Sequence, residues 1–519
     1  MVGCSLTGVK GAIAPDSTHR VFGMFAGALF LTCLPILLTP LPPLNDYPQH
    51  IARVYILANR DQSQFLTEYY APDWAFQANL AIEAVMLPMA KFLPVQSVGR
   101  IFLFLILLVT SSGVLALHRV THRRWSIWPL LVFFVLYNRV FLGGIIAYLF
   151  TLGLTMWMLA LWIAMRDRRV LLRATISTAL ALLVMLGHLG AFAVYAFSVA
   201  GYESWRHLSG PRHWYAPSIR DLLATLPQVV VPTIVFLLAS KTSGNAGGFR
   251  YDFLQKLTAP LNLFYDYHLI FDAVCFIALL IFALLGLLNG WIRICPPLLG
   301  SVVALIIAYF AVPYVMFGSH GADRRLTVAI ALVAIAATDW SPATVPKRRA
   351  IVMALALLLS IRIAIVFYTW HADQSVYRQY LAAIDTLPQG GRLGVLYAHD
   401  SSETLDDPPV QFVAQYAIIC RQAFVATTFT MPGEQPLRFR PPYDTIAKRS
   451  PSVYGPAELR RLWASRSSSD EPFQWSTLSY YDYVLVIGGQ SFHREPPDWI
   501  KPTFAGEGFT LYKVAQRQG

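Results

Sequence analysis

Asp46, His50 and Arg53 follow the first long apolar run, in the segment Pro42-Pro43-Leu44-Asn45-Asp46-Tyr47-Pro48-Gln49-His50-Ile51-Ala52-Arg53. Tyr47-Pro48 predicts the start of a helix, because proline costs least where its missing N–H has no partner to lose. On that helix His50 and Arg53 lie three apart, on neighbouring faces. A carboxylate held at a membrane–water boundary can take a proton from a hydroxyl as that hydroxyl attacks an activated sugar. This makes Asp46 a candidate general base. His50 is a candidate for holding that carboxylate or for touching a phosphate leaving group. Arg53 is a candidate phosphate contact or a structural ion-pair partner. The plain structural alternatives are that Asp46 caps the helix and that His50 is a satisfied buried histidine.

A second group is Phe317-Gly318-Ser319-His320-Gly321-Ala322-Asp323-Arg324-Arg325. Adjacent arginines beside a short glycine-containing loop suit a phosphate, because guanidinium grips such oxyanions with two parallel hydrogen bonds. His320, Asp323, Arg324 and Arg325 are therefore candidate substrate or phosphate contacts. The alternatives are an Asp323–Arg ion pair or contact with lipid headgroups. A third group lies in Lys241–His268, where Arg250, Asp252, Asp266 and His268 stand among Phe249, Tyr251, Phe253, Phe264, Tyr265 and Tyr267. Aromatic faces with scattered polar groups suit sugar stacking, although aromatics also gather at membrane interfaces with no ligand.

The elements that must position these residues are membrane helices. Of 519 residues, 56% are hydrophobic and only 13% charged, with a mean hydropathy of +0.50. A soluble globular chain carries about 25% charged residues. Disorder, collagen and a disulfide-stapled secreted fold are excluded. The net charge of +12 belongs on cytoplasmic loops and gives no reason to invoke nucleic acid. The five cysteines form no CxxC and no His/Cys spacing typical of zinc, so neither a disulfide framework nor a metal is indicated.

The first run, Val21 to Leu41, is long enough to cross a bilayer and too long for a signal-peptide core, so it reads as a retained anchor. Further candidate spans are Val98–Leu117, Trp125–Tyr137, Ile145–Met165, Ala174–Leu186, Ala191–Tyr202, Leu223–Ser240, Leu269–Asn289, Pro297–Phe317, Leu326–Thr338 and Ile351–Tyr368. The basic clusters His118–Arg124, Arg166–Arg173, Arg206–Arg220, Arg293 and Lys347–Arg349 all become cytoplasmic if Asn79–Leu93 lies along the surface. That gives about eleven spans, with the N-terminus cytoplasmic and the C-terminus outside. The three groups of candidates then fall on the outer face, where Asn138-Arg139 and His188 are also placed.

Past the last span the composition becomes mixed. Strand-like runs at Arg392–Ala398, Tyr483–Ile487 and Gly508–Val514, with a helical pattern over about Val410–Phe424, predict a small α/β domain. The expected organisation is a multi-span domain over 1–369, with a first outer loop at 42–97, and an extracytoplasmic domain over 370–519. In a Gram-negative bacterium that would be an inner-membrane protein with a periplasmic domain. No GxxxxGK[ST], no GxGxxG after a strand and no GxSxG is present.

At Asn45-Asp46-Tyr47-Pro48-Gln49-His50 the sequence resembles the GT-C superfamily of integral-membrane glycosyltransferases, such as protein O-mannosyltransferases and lipid A aminoarabinose transferases. The resemblance implies a polyprenyl-phosphate-linked sugar donor, Asp46 in the position of the catalytic acidic residue, and the Asp323-Arg324-Arg325 loop near the lipid phosphate. It also implies inversion at the sugar. The acceptor would be a glycolipid, a polysaccharide or a protein. The second acidic residue that many members carry in their next outer loop has no counterpart in Asn138-Arg139-Val140-Phe141-Leu142-Gly143-Gly144, so a two-acid or metal mechanism is not implied. The rival readings are a lipid or glycan transporter, an assembly protein, and a polysaccharide polymerase or ligase. A transporter predicts polar residues in mid-span, whereas here the ionisable residues gather at the outer ends.

Overall fold

The computed structural model describes residues 16–74, 76–209, 215–239, 249–264, 267–316, 319–340, 345–398, 409–431, 433–449, 453–454, 475–488 and 499–515. The helices are α1 (Thr18–Leu38), α2 (Tyr47–Asn59), α3 (Gln64–Tyr69), α4 (Ala81–Ala90), α5 (Val95–His122), α6 (Arg139–Leu142), α7 (Ile146–Ala164), α8 (Val170–Gly187) and α9 (Leu189–Ser209). They continue with α10 (Tyr215–Ala239), α11 (Phe253–Thr258), α12 (Leu269–Leu288), α13 (Pro296–Ala311), α14 (Ala322–Ala337), α15 (Val345–Asp385), α16 (Tyr416–Arg421) and α17 (Tyr443–Arg449). The strands are β1 (Tyr70–Pro72), β2 (Ile292–Ile294), β3 (Val315–Met316), β4 (Ser319–His320), β5 (Thr338–Trp340), β6 (Arg392–Ala398), β7 (Phe424–Val425), β8 (Leu437–Phe439), β9 (Val453–Tyr454), β10 (Tyr483–Ile487), β11 (Ile500–Gly506) and β12 (Phe509–Val514).

By length and hydropathy, α1, α5, α7, α8, α12 and α15 are each able to cross a membrane, and the apolar parts of α4, α10 and α13 are shorter. The chain is a polytopic α-helical membrane protein with an α/β sheet built from its C-terminal part. The described residues fall into two compact units. One holds Met1–Leu38, Phe76–Ala81 and Ile101–Phe367; the other holds Thr39–Ala75, Ile82–Arg100 and Tyr368–Gly519.

In the first unit, helix contacts are set by small residues, as expected where lipid gives helices no hydrophobic reason to associate. Gly201 on α9 and Gly300 on α13 meet so closely that a Cβ on either would stand 2.4 Å from the other's carbonyl oxygen. The Ser301 hydroxyl donates to the Ser198 carbonyl at 2.7 Å across the same contact. One expected span takes another form. Trp125–Tyr137 is not an α-helix: only Trp128–Val135 is helical, as a 3₁₀ turn opened by Pro129. Its ring contacts Phe22–Trp125 and Phe25–Phe133, and the Tyr137 hydroxyl on the Thr32 carbonyl, show it running beside α1 in the same direction. Irregular backbone is tolerated at membrane depth only where protein buries it, and Trp128, Val132, Phe133, Phe134 and Val135 are all buried.

Two basic clusters also differ from solvated loops. Arg173 is buried, donating to Glu203 at 3.2 Å and to Asp221 at 2.7 Å, and Arg206 holds the same two carboxylates.

The second unit is built on the sheet order β11-β12-β10-β6-β7, with β9 also on β6. β6 runs parallel to β10, β7 and β9, while β12 is antiparallel to β10 and β11. The sequence-based strands at 392–398 and 483–487 are present, and the last forms as Phe509–Val514. The expected helix over 410–424 is shorter, a 3₁₀ turn followed by α16. The first outer loop joins this unit directly. β1 pairs antiparallel with β8, Tyr70 opposite Phe439, and α2 packs on α16. Tyr69 donates to the Gly390 carbonyl, and Tyr70, Phe424 and Phe439 pack ring on ring.

Candidate functional site

In the second unit, Asp46 occupies the N-cap position of α2, with Pro48 in the first turn, yet its side chain makes no capping hydrogen bond. Instead, Asn45 Nδ2 donates to Asp46 Oδ1 at 3.2 Å and faces Gln411 Oε1 at 3.3 Å. Asp46 is half-buried, whereas the residues that follow it, Tyr47 to Val54, are buried. Gln49 pins the opposing loop with both ends of its amide: Nε2 donates to the Thr427 carbonyl at 2.7 Å, and Oε1 accepts from the Phe429 N–H at 3.0 Å. His50 lies with its ring edge-on to Phe429, 6.4 Å between centroids.

Arg53 is fully buried and serves as an ion-pair partner, its Nε 2.6 Å from Glu83 Oε1 and its Nη1 3.0 Å from Gln435. Of the two roles open to Arg53 in the sequence, this geometry is the ion pair. Glu83 and Gln435 were not singled out in the sequence. A carboxylate inside the apolar α4 is expensive unless paired, and that was the available signal for Glu83.

In the first unit, the β3–β4 hairpin leads into α14 through Gly321, whose φ of +67° is a left-handed conformation that suits glycine. Asp323 is buried, its Oδ2 3.0 Å from Lys256 Nζ on α11. Lys256 also donates to the carbonyls of Tyr309 at 2.8 Å and Val312 at 2.6 Å. Of the alternatives read for this loop, an ion pair of Asp323 does form, with Lys256 in place of an arginine. Arg324 donates to Gln255 Oε1 at 2.5 Å, and its guanidinium carbon stands 5.1 Å from the Tyr314 ring centre. Arg250 reaches the same ring at 5.2 Å. Its backbone pairs with Val315 in an isolated bridge.

His320 meets Tyr314 edge-on at 6.0 Å, and its carbonyl lies 3.4 Å from Arg325 Nη2. Arg250 and Arg324 therefore share the Tyr314 ring, with Lys256 on the buried Asp323 carboxylate and Arg325 at the His320 carbonyl. Such a surplus of donors and positive charge suits an anion with several oxygens. Tyr314, Lys256 and Gln255 were missed in the sequence, since single polar residues in an aromatic loop carry no spacing signal. Asp252 caps α11 through the Gln255 N–H at 3.1 Å. His268 caps α12, its Nδ1 accepting from the Phe271 N–H at 3.3 Å. Asp266 lies outside the described residues.

His188, between α8 and α9, accepts from the Gly190 N–H through Nδ1 at 3.0 Å. Burial first, and the nearby Arg325 charge second, push its imidazole down to about 3. It is a neutral imidazole at physiological pH.

Among the described residues, a set of three metal-ligating side chains converges in one place, outside both clusters, at His118, His122 and Asp339.

No protein family's sequence profile matches the chain, and no curated protein matches it in sequence. Among solved structures, the chain is similar to the crystal structure of ArnT from Cupriavidus metallidurans bound to undecaprenyl phosphate. The identity is 12% over 96% of this chain and 98% of that one, with a TM-score of 0.47. At that distance no residue role passes from one protein to the other.

Proposed function

We propose that this protein is an integral-membrane glycosyltransferase of the GT-C kind that moves a sugar from a polyprenyl-phosphate donor to a hydroxyl acceptor at the outer membrane face. In this reading the acceptor oxygen attacks the anomeric carbon, the bond from that carbon to the phosphate oxygen breaks, and the sugar inverts. The acceptor proton passes to the Asp46 carboxylate, and the polyprenyl phosphate leaves with the electron pair of the broken bond. Arg324 and Arg325 stand at the lipid phosphate, where negative charge grows as the bond breaks; fixed donors aimed at that point lower the barrier.

The observation that carries the reading is the gathering of cations at the start of α14: Arg250 and Arg324 on the Tyr314 ring, Lys256 on Asp323, and Arg325 at the His320 carbonyl. The position of Asp46 adds to it: a half-buried carboxylate at the start of α2, just after the first span, held by Asn45. Arg53 is assigned to structure through its buried pairing with Glu83. His50, Arg250 and His320 remain proposed substrate contacts, and His268 has a capping bond to account for it. The cell location that follows is a bacterial inner membrane, with the N-terminus cytoplasmic and the sheet-bearing unit periplasmic.

The reading is tested with purified protein, a panel of radiolabelled polyprenyl-phosphate monosaccharides and a membrane extract as acceptor. Transfer from at least one donor, lost on Arg324→Ala with Arg325→Ala, is expected. Folded protein that turns over none of them would shift the assignment to a transporter or to a polymerase using a diphosphate-linked glycan.

A further inference from the structure

His118 and His122 lie one turn apart at the end of α5, so their rings share a face, 4.4 Å between centroids. Asp339 of β5 comes to the same point, and one ligand atom from each of the three lies within 4.8 Å of the other two. His118 is fully buried; its Nε2 stands 3.5 Å from Asp339 Oδ1 as an ion-pair contact, and its Nδ1 has no hydrogen-bond partner. A buried ring nitrogen left unmet is costly.

The carboxylate, by contrast, is firmly held. Arg124 Nε donates to Oδ2 at 2.5 Å, while the Ser126 hydroxyl and the Trp340 N–H donate to Oδ1 at 3.0 and 2.8 Å. The chain delivers Arg124 to this point by leaving α5 through Arg123, whose φ of +57° is left-handed although it is not glycine. His122 Nε2 lies 3.2 Å from the Ala336 carbonyl, an outer contact that would orient the ring and leave Nδ1 as its metal-facing atom.

We propose that His118, His122 and Asp339 bind a first-row divalent transition cation of the zinc type, which fastens the end of α5 to β5. Two imidazoles and one carboxylate form a donor set that such cations take, with a water completing the shell. The cation would engage the buried imidazole of His118 directly. Arg124 and the Trp340 N–H would act from the second layer, holding the carboxylate as outer partners commonly do. The spacing His118-x-x-x-His122 corrects the sequence-based reading that no zinc-like spacing is present; it lies in a stretch read there as a basic cluster. Asp339 is brought to it only by the fold.

The test uses the full chain in detergent, carrying no polyhistidine tag. Zinc content is measured by mass spectrometry, and Co²⁺ is titrated while its visible absorption is followed. About one equivalent of zinc per chain and a tetrahedral-type cobalt band are expected. His118→Gln and Asp339→Asn should each weaken binding at least tenfold, roughly the range seen when a metal site loses a partner. His19→Ala, at an exposed residue, should leave it unchanged. If the variants fail to fold, the wild-type cobalt spectrum alone decides. Wild-type protein that takes up neither zinc nor cobalt would overturn the proposal, as would variants that bind as well as the wild type. In either case the cluster is an ion-pair lock around Asp339.

Discussion

Single side chains in this protein separate into those that hold the fold and those left available for chemistry, and the two kinds respond differently to substitution. Arg53 belongs to the first: Arg53→Met leaves Glu83 buried without its cation, a loss of about 3–5 kcal/mol, seen as a lower unfolding temperature in detergent. The double variant with Glu83→Leu should recover much of it, because no unpaired charge remains. On the proposed function Arg324 would belong to the second: Arg324→Ala should raise the donor KM about ten- to a hundredfold, the worth of one charge-assisted contact. His188 gives a pH test. Its folded imidazole is depressed to about 3 against about 6.5 unfolded, so its stabilising contribution is full above pH 6.5 or so and is lost as pH falls towards 3. Thermal unfolding followed from pH 7 to pH 5 should show this loss, with a flatter profile in His188→Gln. Asp46 was singled out in the sequence by its place just after the first span, and Arg324 and Arg325 because they break the charge pattern of a membrane protein. Glu83, Lys256 and Tyr314 were not, because their meaning depends on partners brought close by folding.

Among the elements, long apolar helices such as α1, α7 and α12 could be read from hydropathy, since a span requires continuous apolar length. The stretch at 125–137 could not be typed the same way: its apolar residues are core, packed beside α1, and Pro129 opens a 3₁₀ turn in place of an α-helix. Glycines mark where helices touch. A Cβ at Gly300 would sit 2.5 Å from Trp205 Cβ as well as 2.4 Å from the Gly201 carbonyl. Gly300→Leu should therefore separate α9 from α13 and sharply reduce folded yield, measured by size-exclusion chromatography in detergent. Gly27→Leu on α1, where nothing lies within 4 Å of the added carbon, should be tolerated.

At the scale of the whole molecule, the boundary expected near residue 370 does not isolate a self-sufficient C-terminal part. β1 and α2 come from the first outer loop, and they supply a strand partner for β8 and packing for α16. Such pairings join residues several hundred positions apart and leave no local trace in the sequence. A fragment of residues 370–519 should consequently show poor amide dispersion by NMR, whereas appending residues 39–75 through a linker should improve it. The central claim concerns one carboxylate, and sugar transfer by wild type and Asp46→Asn, in parallel on a polyprenyl-phosphate sugar, tests it most directly. The account predicts a fall in kcat of roughly 10²–10⁴-fold, the usual range for a lost general base, with little change in unfolding temperature because asparagine keeps the size of Asp46 and an acceptor oxygen for Asn45. Equal turnover by the two proteins would contradict it and remove Asp46 from the reaction.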